Sequence, residues 1–307
     1  MTKDYQQILE EIVLETKSLQ GKGKVADYIP ELAKVNPDQF GFHLQLLKGA
    51  TYSVGEAHTA FSIQSITKVL SLALVISGQG GESVWKRVGV EPSGTSFNSL
   101  LQLEYEKGIP RNPFINAGAL VVADMLISTY DFPKQALLNF VRLLARKKSI
   151  HSNVAVAASE KAHGYRNAAL ANLLKSFGNL YNSVEDVLDL YYYMCSIEMN
   201  CEELAQTFLV FANHGNLPYS NRHILSRSQT KRMNALMQAC GFYDESGEFT
   251  FSVGLPGKSG VGGGIVAIFP GQFTISVWSP RLNHKGNSIM GMKALELFTT
   301  KSELSVY

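Results

Sequence analysis

Helical periodicity fills the middle of this chain and strand-like text stands only near its two ends, an arrangement that restricts the fold more than any other feature. Residues 5–19 set Ile8, Leu9, Ile12, Val13 and Leu19 near helical spacing with a charged opposite face, which predicts an amphipathic helix. Residues 40–47 and 51–54 alternate in character around the turn-forming Lys48 and Gly49, which predicts a hairpin. From residue 62 to about 243, apolar residues recur three and four apart, in 63–76, 117–128, 134–146, 184–195 and 202–212, with Gly, Pro and Asn as punctuation. Segments 249–254, 264–269 and 273–279 are rich in Val, Ile and Phe and predict three strands, and 287–300 closes the chain as a helix. Strands so far apart in sequence share a sheet only if the chain ends meet. The expectation is therefore an α+β fold: an antiparallel sheet from residues 1–60 and 245–307 with flanking terminal helices, packed on a helical subdomain of residues 61–244. The cleft between the two parts is the natural site.

The chain is long and apolar enough for such a core, with 307 residues, 45% hydrophobic and 18% charged, outside the range of disordered or coiled-coil sequences. Lys+Arg 28 against Asp+Glu 26 leaves +2. No basic run is long enough to track a phosphate backbone, which argues against nucleic acid and for a small-molecule substrate. The most apolar stretch, 69–76, lies between Lys68 and Gly78 and falls far short of the ~20 residues of a bilayer span, so no membrane partner is expected. Asp4, Glu10, Glu11 and Glu15 disfavour a signal peptide. Cys195, Cys201 and Cys240 form no C-x-x-C pair and read as free thiols of a reducing compartment, so the expected location is cytoplasmic. The seven histidines lack metal-ligand spacing, and no metal is expected.

Two motifs carry chemistry. In Ser65-Ile66-Thr67-Lys68 the serine and lysine share a helix face. The same S-x-x-K spacing recurs at Ser83 and Ser228 in polar surroundings, so spacing alone selects nothing and an ordinary surface lysine is the bland alternative. Only Ser65 precedes an apolar run, 69–74, that would bury Lys68, depress its pKa and leave a base near neutrality. The second motif, Lys258 to Gly264 (KSGVGGG), places glycines where a ligand can approach backbone N–H groups, as an oxyanion hole requires. Gly257-Lys258-Ser259 fails as a phosphate loop, because Ser252 stands where the leading glycine belongs and a strand, not a helix, follows. A bulged edge strand is the bland reading there. Together S-x-x-K and K-S-G form the set of serine acyl-transfer enzymes of the penicillin-recognising type, but the Ser-Asp-Asn triplet of penicillin targets is absent.

Residues 23–30 (GKVADYIP), 61–68 (FSIQSITK), 108–119 (GIPRNPFINAGA) and 258–264 resemble the serine-dependent glutaminase family, and the likeness runs from about residue 21 to the C-terminus. The resemblance implies a serine β-lactamase-like fold, hydrolysis of L-glutamine to L-glutamate and ammonia, a homo-oligomer (tetramer or dimer), and no cofactor. It makes Ser65 the nucleophile, Lys68 its base, and the Ser65 and Val261 amides the oxyanion hole, with Lys258 and Tyr243 in the catalytic set. It maps substrate binding onto Tyr28, Ser65, Asn116, Glu160, Asn167, Tyr191, Tyr243 and Val261. The chemistry is sensible: Glu160 suits an α-ammonium, while Asn116, Asn167 and the tyrosines offer neutral donors to an α-carboxylate. Either Tyr243 or Lys68 would protonate the leaving nitrogen. Taken singly, these residues read blandly, Glu160 as solvated surface, Tyr191 as helix packing and Asn116 as a helix cap. Two other functions use the same residues, a hydrolase acting on a peptide or lactam and a glutamine-binding module without turnover.

Overall fold

Alternation along the sheet strands decides what each face packs against. The structure, a computed structural model, describes residues 4–94 and 96–307; residues 1–3, the start of the expected N-terminal segment, and Thr95 lie outside the described residues. The strands are β1 (Gly41–Leu46), β2 (Thr51–Gly55), β3 (Phe61–Ser62), β4 (Glu198–Met199), β5 (Gly257–Ser259), β6 (Gly264–Phe269) and β7 (Phe273–Trp278). Five of them form one antiparallel sheet in the order β2-β1-β7-β6-β5, so the front hairpin pairs with the end of the chain through β1 and β7; β3 and β4 form a separate ribbon. Before, between and after them run helices α1 (Tyr5–Thr16), α2 (Thr67–Gln79), α3 (Glu82–Trp85), α4 (Leu100–Tyr105), α5 (Asn116–Thr129), α6 (Pro133–Ala145) and α7 (Val154–His163). They continue with α8 (Tyr165–Ser176), α9 (Val184–Cys195), α10 (Cys201–Ala212), α11 (Arg227–Cys240), α12 (Ser246–Ser252) and α13 (Ile289–Ser302).

One sheet face presents Phe42, Leu44, Ile265, Ala267, Phe273, Ile275 and Val277 to Leu9 and Ile12 of α1 and Leu295 and Phe298 of α13. The intervening residues turn to the helical side, where Val266, Ile268 and Trp278 join the larger core. Two polar members of that face are satisfied by α10: Thr274 Oγ1 donates to the Ala205 carbonyl at 2.8 Å and Ser276 Oγ donates to the Cys201 carbonyl. The α+β architecture, with a sheet from both chain ends, terminal helices on one face and a helical layer on the other, is the one expected. No described helix is long and apolar enough to cross a membrane.

Two helices at the centre of the helical layer matter for function. Residues 67–76 of α2 and 116–126 of α5 are buried on every side, as helices apolar all round must be. Polar side chains near their N-termini are therefore withdrawn from bulk solvent. One strand expectation is corrected: 249–254 is not a strand but lies largely within α12, whose Phe249 stacks on Phe242 with ring centroids 3.5 Å apart while Phe251 is 93% exposed. So short an apolar run does not discriminate helix from strand, and the ladder instead begins at the three-residue edge strand β5.

Candidate active site

Ser65 sits in a single 3₁₀ turn, Gln64–Ile66, immediately before α2. Gln64 holds φ of 49°, a left-handed conformation that a residue with a Cβ adopts at a cost, and it breaks the path of the chain just ahead of the serine. The expected helix 63–76 therefore starts later than its periodicity indicates. Lys68 is 1% exposed because α2 offers no solvent face. Its Nζ donates to Asn116 Oδ1 at 2.7 Å and to the Phe114 carbonyl at 3.2 Å. Burial lowers its pKa to about 8, against a smaller opposing pull from Cys195 and Glu160.

Asn116 is the first residue of α5, and the cap position belongs to Ile115, so the helix-cap reading is wrong. Its side chain is used laterally, accepting from Lys68 and donating through Nδ2 to Asn167 Oδ1 of α8 at 2.8 Å. On β5, Lys258 is fully buried, donating to the carbonyls of Gly241 (2.9 Å) and Ser259 (2.6 Å) with its ammonium 4.5 Å from the ring centre of Tyr243. Burial and the nearby Lys68 push it well below the usual lysine range. The Tyr243 hydroxyl, itself without a completed hydrogen bond, faces Ser65 and Ser259, and burial raises its pKa.

The glycine run brings β5 and β6 against the segment bearing Ser65. A Cβ on Gly262 would lie 2.2 Å from the Ser62 carbonyl oxygen, and one on Gly260 2.5 Å from that of Ile63, so only glycine permits this approach. Val261 is thereby held beside Ser65, both line the same cavity, and among the described residues neither backbone amide donates to an acceptor within the chain. The glycines admit the protein's own backbone first, and the pocket follows from that contact.

That cavity, of about 600 Å³, is lined by seven of the residues named from sequence: Tyr28, Ser65, Asn116, Glu160, Asn167, Tyr191 and Val261. Lys68, Tyr243 and Lys258 stand behind its wall. Glu160 of α7 is 6% exposed, its Oε1 has no partner, and burial raises its carboxyl pKa to about 7, with Gln64 and Lys68 pulling the other way. A buried carboxylate with an unused oxygen, facing an open cavity, is suited to an incoming cation. Tyr191 of α9 is buried, which raises its phenol well above the usual range; Tyr28 is 55% exposed, with crowding at its hydroxyl raising it likewise. Among the described residues no cluster of three or more His, Cys, Asp or Glu side chains could hold a metal.

Sequence reasoning missed Gln64, whose backbone conformation leaves no trace in residue type, and the cationic mouth of the cavity, where Lys24, Arg166 and Lys285 come from three distant segments.

The family model described as Glutaminase matches residues 23–307. The chain is 55% identical to the glutaminase of Saccharophagus degradans over 304 residues, covering 99% of each chain. It is 54% identical to that of Christiangramia forsetii, covering 99% of this chain and 100% of the relative. Among solved structures, the probable glutaminase ybaS superposes with a TM-score of 0.92 at 34% identity, covering 98% of this chain and 97% of that one. A probable glutaminase from Bacillus subtilis, complexed with 6-diazo-5-oxo-L-norleucine, superposes with a TM-score of 0.90 at 31% identity, covering 100% and 98%. The fold shared with these structures is the serine β-lactamase-like one.

Proposed function

The chain belongs to the glutaminase family and is an amidohydrolase of glutamine, and from that premise we propose that it cleaves the side-chain amide through an acyl-enzyme on Ser65. Glu160 takes the α-ammonium of L-glutamine, and Asn116, Asn167 and the tyrosine hydroxyls take the α-carboxylate, which leaves the side-chain carbonyl at Ser65. A neutral Lys68 amine has two N–H bonds, both committed to Asn116 and Phe114, so its lone pair is free for the Ser65 proton. Ser65 Oγ attacks the amide carbon, Lys68 accepts the proton, and the oxygen gains negative charge opposite the amides of Ser65 and Val261. Each such donor is worth about 2.7–4 kcal/mol at the transition state. Collapse breaks the C–N bond as Lys68 or Tyr243 returns a proton to the nitrogen, releasing ammonia. Water then attacks the ester by the same route in reverse roles and releases L-glutamate. Lys258 supports Tyr243 and the Gly241 carbonyl from behind.

The observation that carries this reading is the convergence, in one cavity, of Ser65, two amides without acceptors and a buried carboxylate with a free oxygen. The ligand of the Bacillus subtilis relative has the shape it requires, an α-amino acid with a carbonyl at the fifth carbon. Mass spectrometry after incubation with that diazo ketone should find the label on Ser65, and Ser65→Ala should fold, bind glutamine and release no ammonia. A label elsewhere, or full turnover by the variant, refutes the nucleophile. Assembly as a homodimer or homotetramer in the cytoplasm belongs to the same proposal, as does the division of the chain into a sheet unit (1–60 and 245–307) and a helical unit (61–244). Three free, buried cysteines suit a reducing compartment, and sedimentation equilibrium measures the subunit count.

A further inference from the structure

Tyr243 occupies an unfavourable backbone conformation, with φ of 57°, that a residue with a side chain keeps only where its surroundings enforce it. Two residues later, in the same 3₁₀ turn, stands Glu245, 5% exposed and in no ion pair among the described residues. Its carboxylate accepts from Asn283 Nδ2 through both oxygens, each at 2.9 Å, and from Asn287 Nδ2 through Oε2. Asn287 Nδ2 also reaches the Phe242 carbonyl at 3.3 Å. Asn283 in turn closes the loop on itself, its Oδ1 accepting from the Lys285 and Asn287 amides, each at 3.0 Å. At the tip of that loop is Gly286. A Cβ placed there would lie 3.6 Å from Val261 Cγ1 and 3.7 Å from the Tyr243 ring, so the loop backbone passes over both residues with room for one methyl group between.

We propose that Glu245 is a positioning residue for catalysis, which by tying the Tyr243 turn to the 283–287 loop fixes the phenol opposite Ser65. A buried carboxylate held only by neutral amide donors gains its strength from charge-assisted hydrogen bonds. Those bonds tie the last residue of the strained turn to the loop that covers it. The Tyr243 ring packs 4.7 Å from that of Phe97 by ring centroids and lies over Lys258. Ser246 closes the turn locally, its Oγ donating to the Tyr243 carbonyl at 3.3 Å and accepting from the Phe242 amide at 3.0 Å, whereas Glu245 links the turn to the 283–287 loop. The proposal rests on the catalytic role given to Tyr243 above.

The test is a double-mutant cycle of Glu245→Gln with Tyr243→Phe, with melting temperature measured beside kcat and KM. The glutamine amide keeps one accepting oxygen but loses the charge and the second acceptor, and its N–H group meets Asn283 Nδ2, a donor whose Oδ1 is committed to the Lys285 and Asn287 amides, so the clamp weakens at little change in volume. We expect Glu245→Gln to lower kcat about tenfold with KM changed less than about twofold, because Glu160 and Asn116 are held by Gln64, Lys68 and Asn167 and by no residue of the clamp. In the Tyr243→Phe background the same substitution should change kcat less than about twofold, as coupled residues behave. Asn287→Ala, which removes a clamp partner that does not line the cavity, should reproduce the coupling and serves if Glu245→Gln does not fold. An equal loss of kcat in both backgrounds, or a loss confined to melting temperature, overturns the positioning role while leaving Tyr243 in place. A fully active Tyr243→Phe instead overturns the role of Tyr243 itself, and the positioning role with it.

Discussion

Glu160 is the residue at which binding and stability conflict most directly. Its carboxyl pKa is raised from the usual 4.5 to about 7, so the folded protein prefers the neutral form. Its ionisation cost is absent below pH 4.5, grows as pH rises, and is complete above pH 7. The difference of about 2.5 in pKa, at ~1.4 kcal/mol for each, makes ionised Glu160 cost about 3 kcal/mol. Replacement by Gln keeps the shape and removes the charge, and because the net shift already includes the opposing attraction of Lys68, the benefit at pH 8 is the same figure of about 3 kcal/mol. Glu160→Gln should therefore melt about 5 °C above the parent at pH 8, and the two curves should draw together by pH 5, where the folded parent is also neutral at this position and only a small part of the cost remains. The same change removes the partner of the α-ammonium, worth ~2–5 kcal/mol for a buried hydrogen-bonded charge pair. kcat/KM for glutamine should then fall by ~10²-fold or more. Differential scanning calorimetry at pH 5 and pH 8, with ammonia release measured at pH 8, reads both effects. A variant no more stable than the parent at pH 8, or equally stabilised at both pH values, refutes the assignment of a costly, unpaired carboxylate.

Other expectations follow from the same geometry. kcat/KM needs Glu160 ionised and Lys68 neutral, with pKa values of about 7 and about 8. Its pH profile should therefore rise with a slope above one below pH 7 and level off above pH 8–9, and the initial slope should drop to one in Glu160→Gln. Lys68→Met should cut kcat by ~10³-fold, the usual worth of a general base, and retain glutamine binding by calorimetry; near-parental turnover would point to another base. Gly262→Ala places a Cβ 2.2 Å from the Ser62 oxygen, a clash of order 1–3 kcal/mol, and should lower kcat through displacement of Val261 and Ser65; an unaffected kcat would show that the contact does not set the site. Cys201, fully buried with its thiol pushed up to about 12, should resist aromatic disulfide reagents at pH 8 until denaturant is added, as should Cys195.

Much of the molecule was legible before its structure. The Val, Ile and Phe content of 264–269 and 273–279 marked strands that are buried on both faces, and apolar spacing of three and four in 184–195 and 202–212 marked helices, because branched and aromatic side chains suit a pleated sheet and a helix repeats its side-chain direction every 3.6 residues. The run 69–76 announced a helix with no wet side, and the burial of Lys68 follows from that alone. The segment 249–254 reads as a strand from its Phe and Val content, but that content does not record that Phe249 is buried and Phe251 exposed in a short helix. Chain order could not reveal what depends on distant backbones meeting. The left-handed Gln64, the approach of Gly262 to Ser62, the linkage of Lys68 through Asn116 to Asn167, and the Glu245 clamp each join segments whose proximity no local pattern encodes. Local periodicity records which face of an element avoids water; packing of whole elements decides which polar atoms are left without partners, and here those atoms form the site.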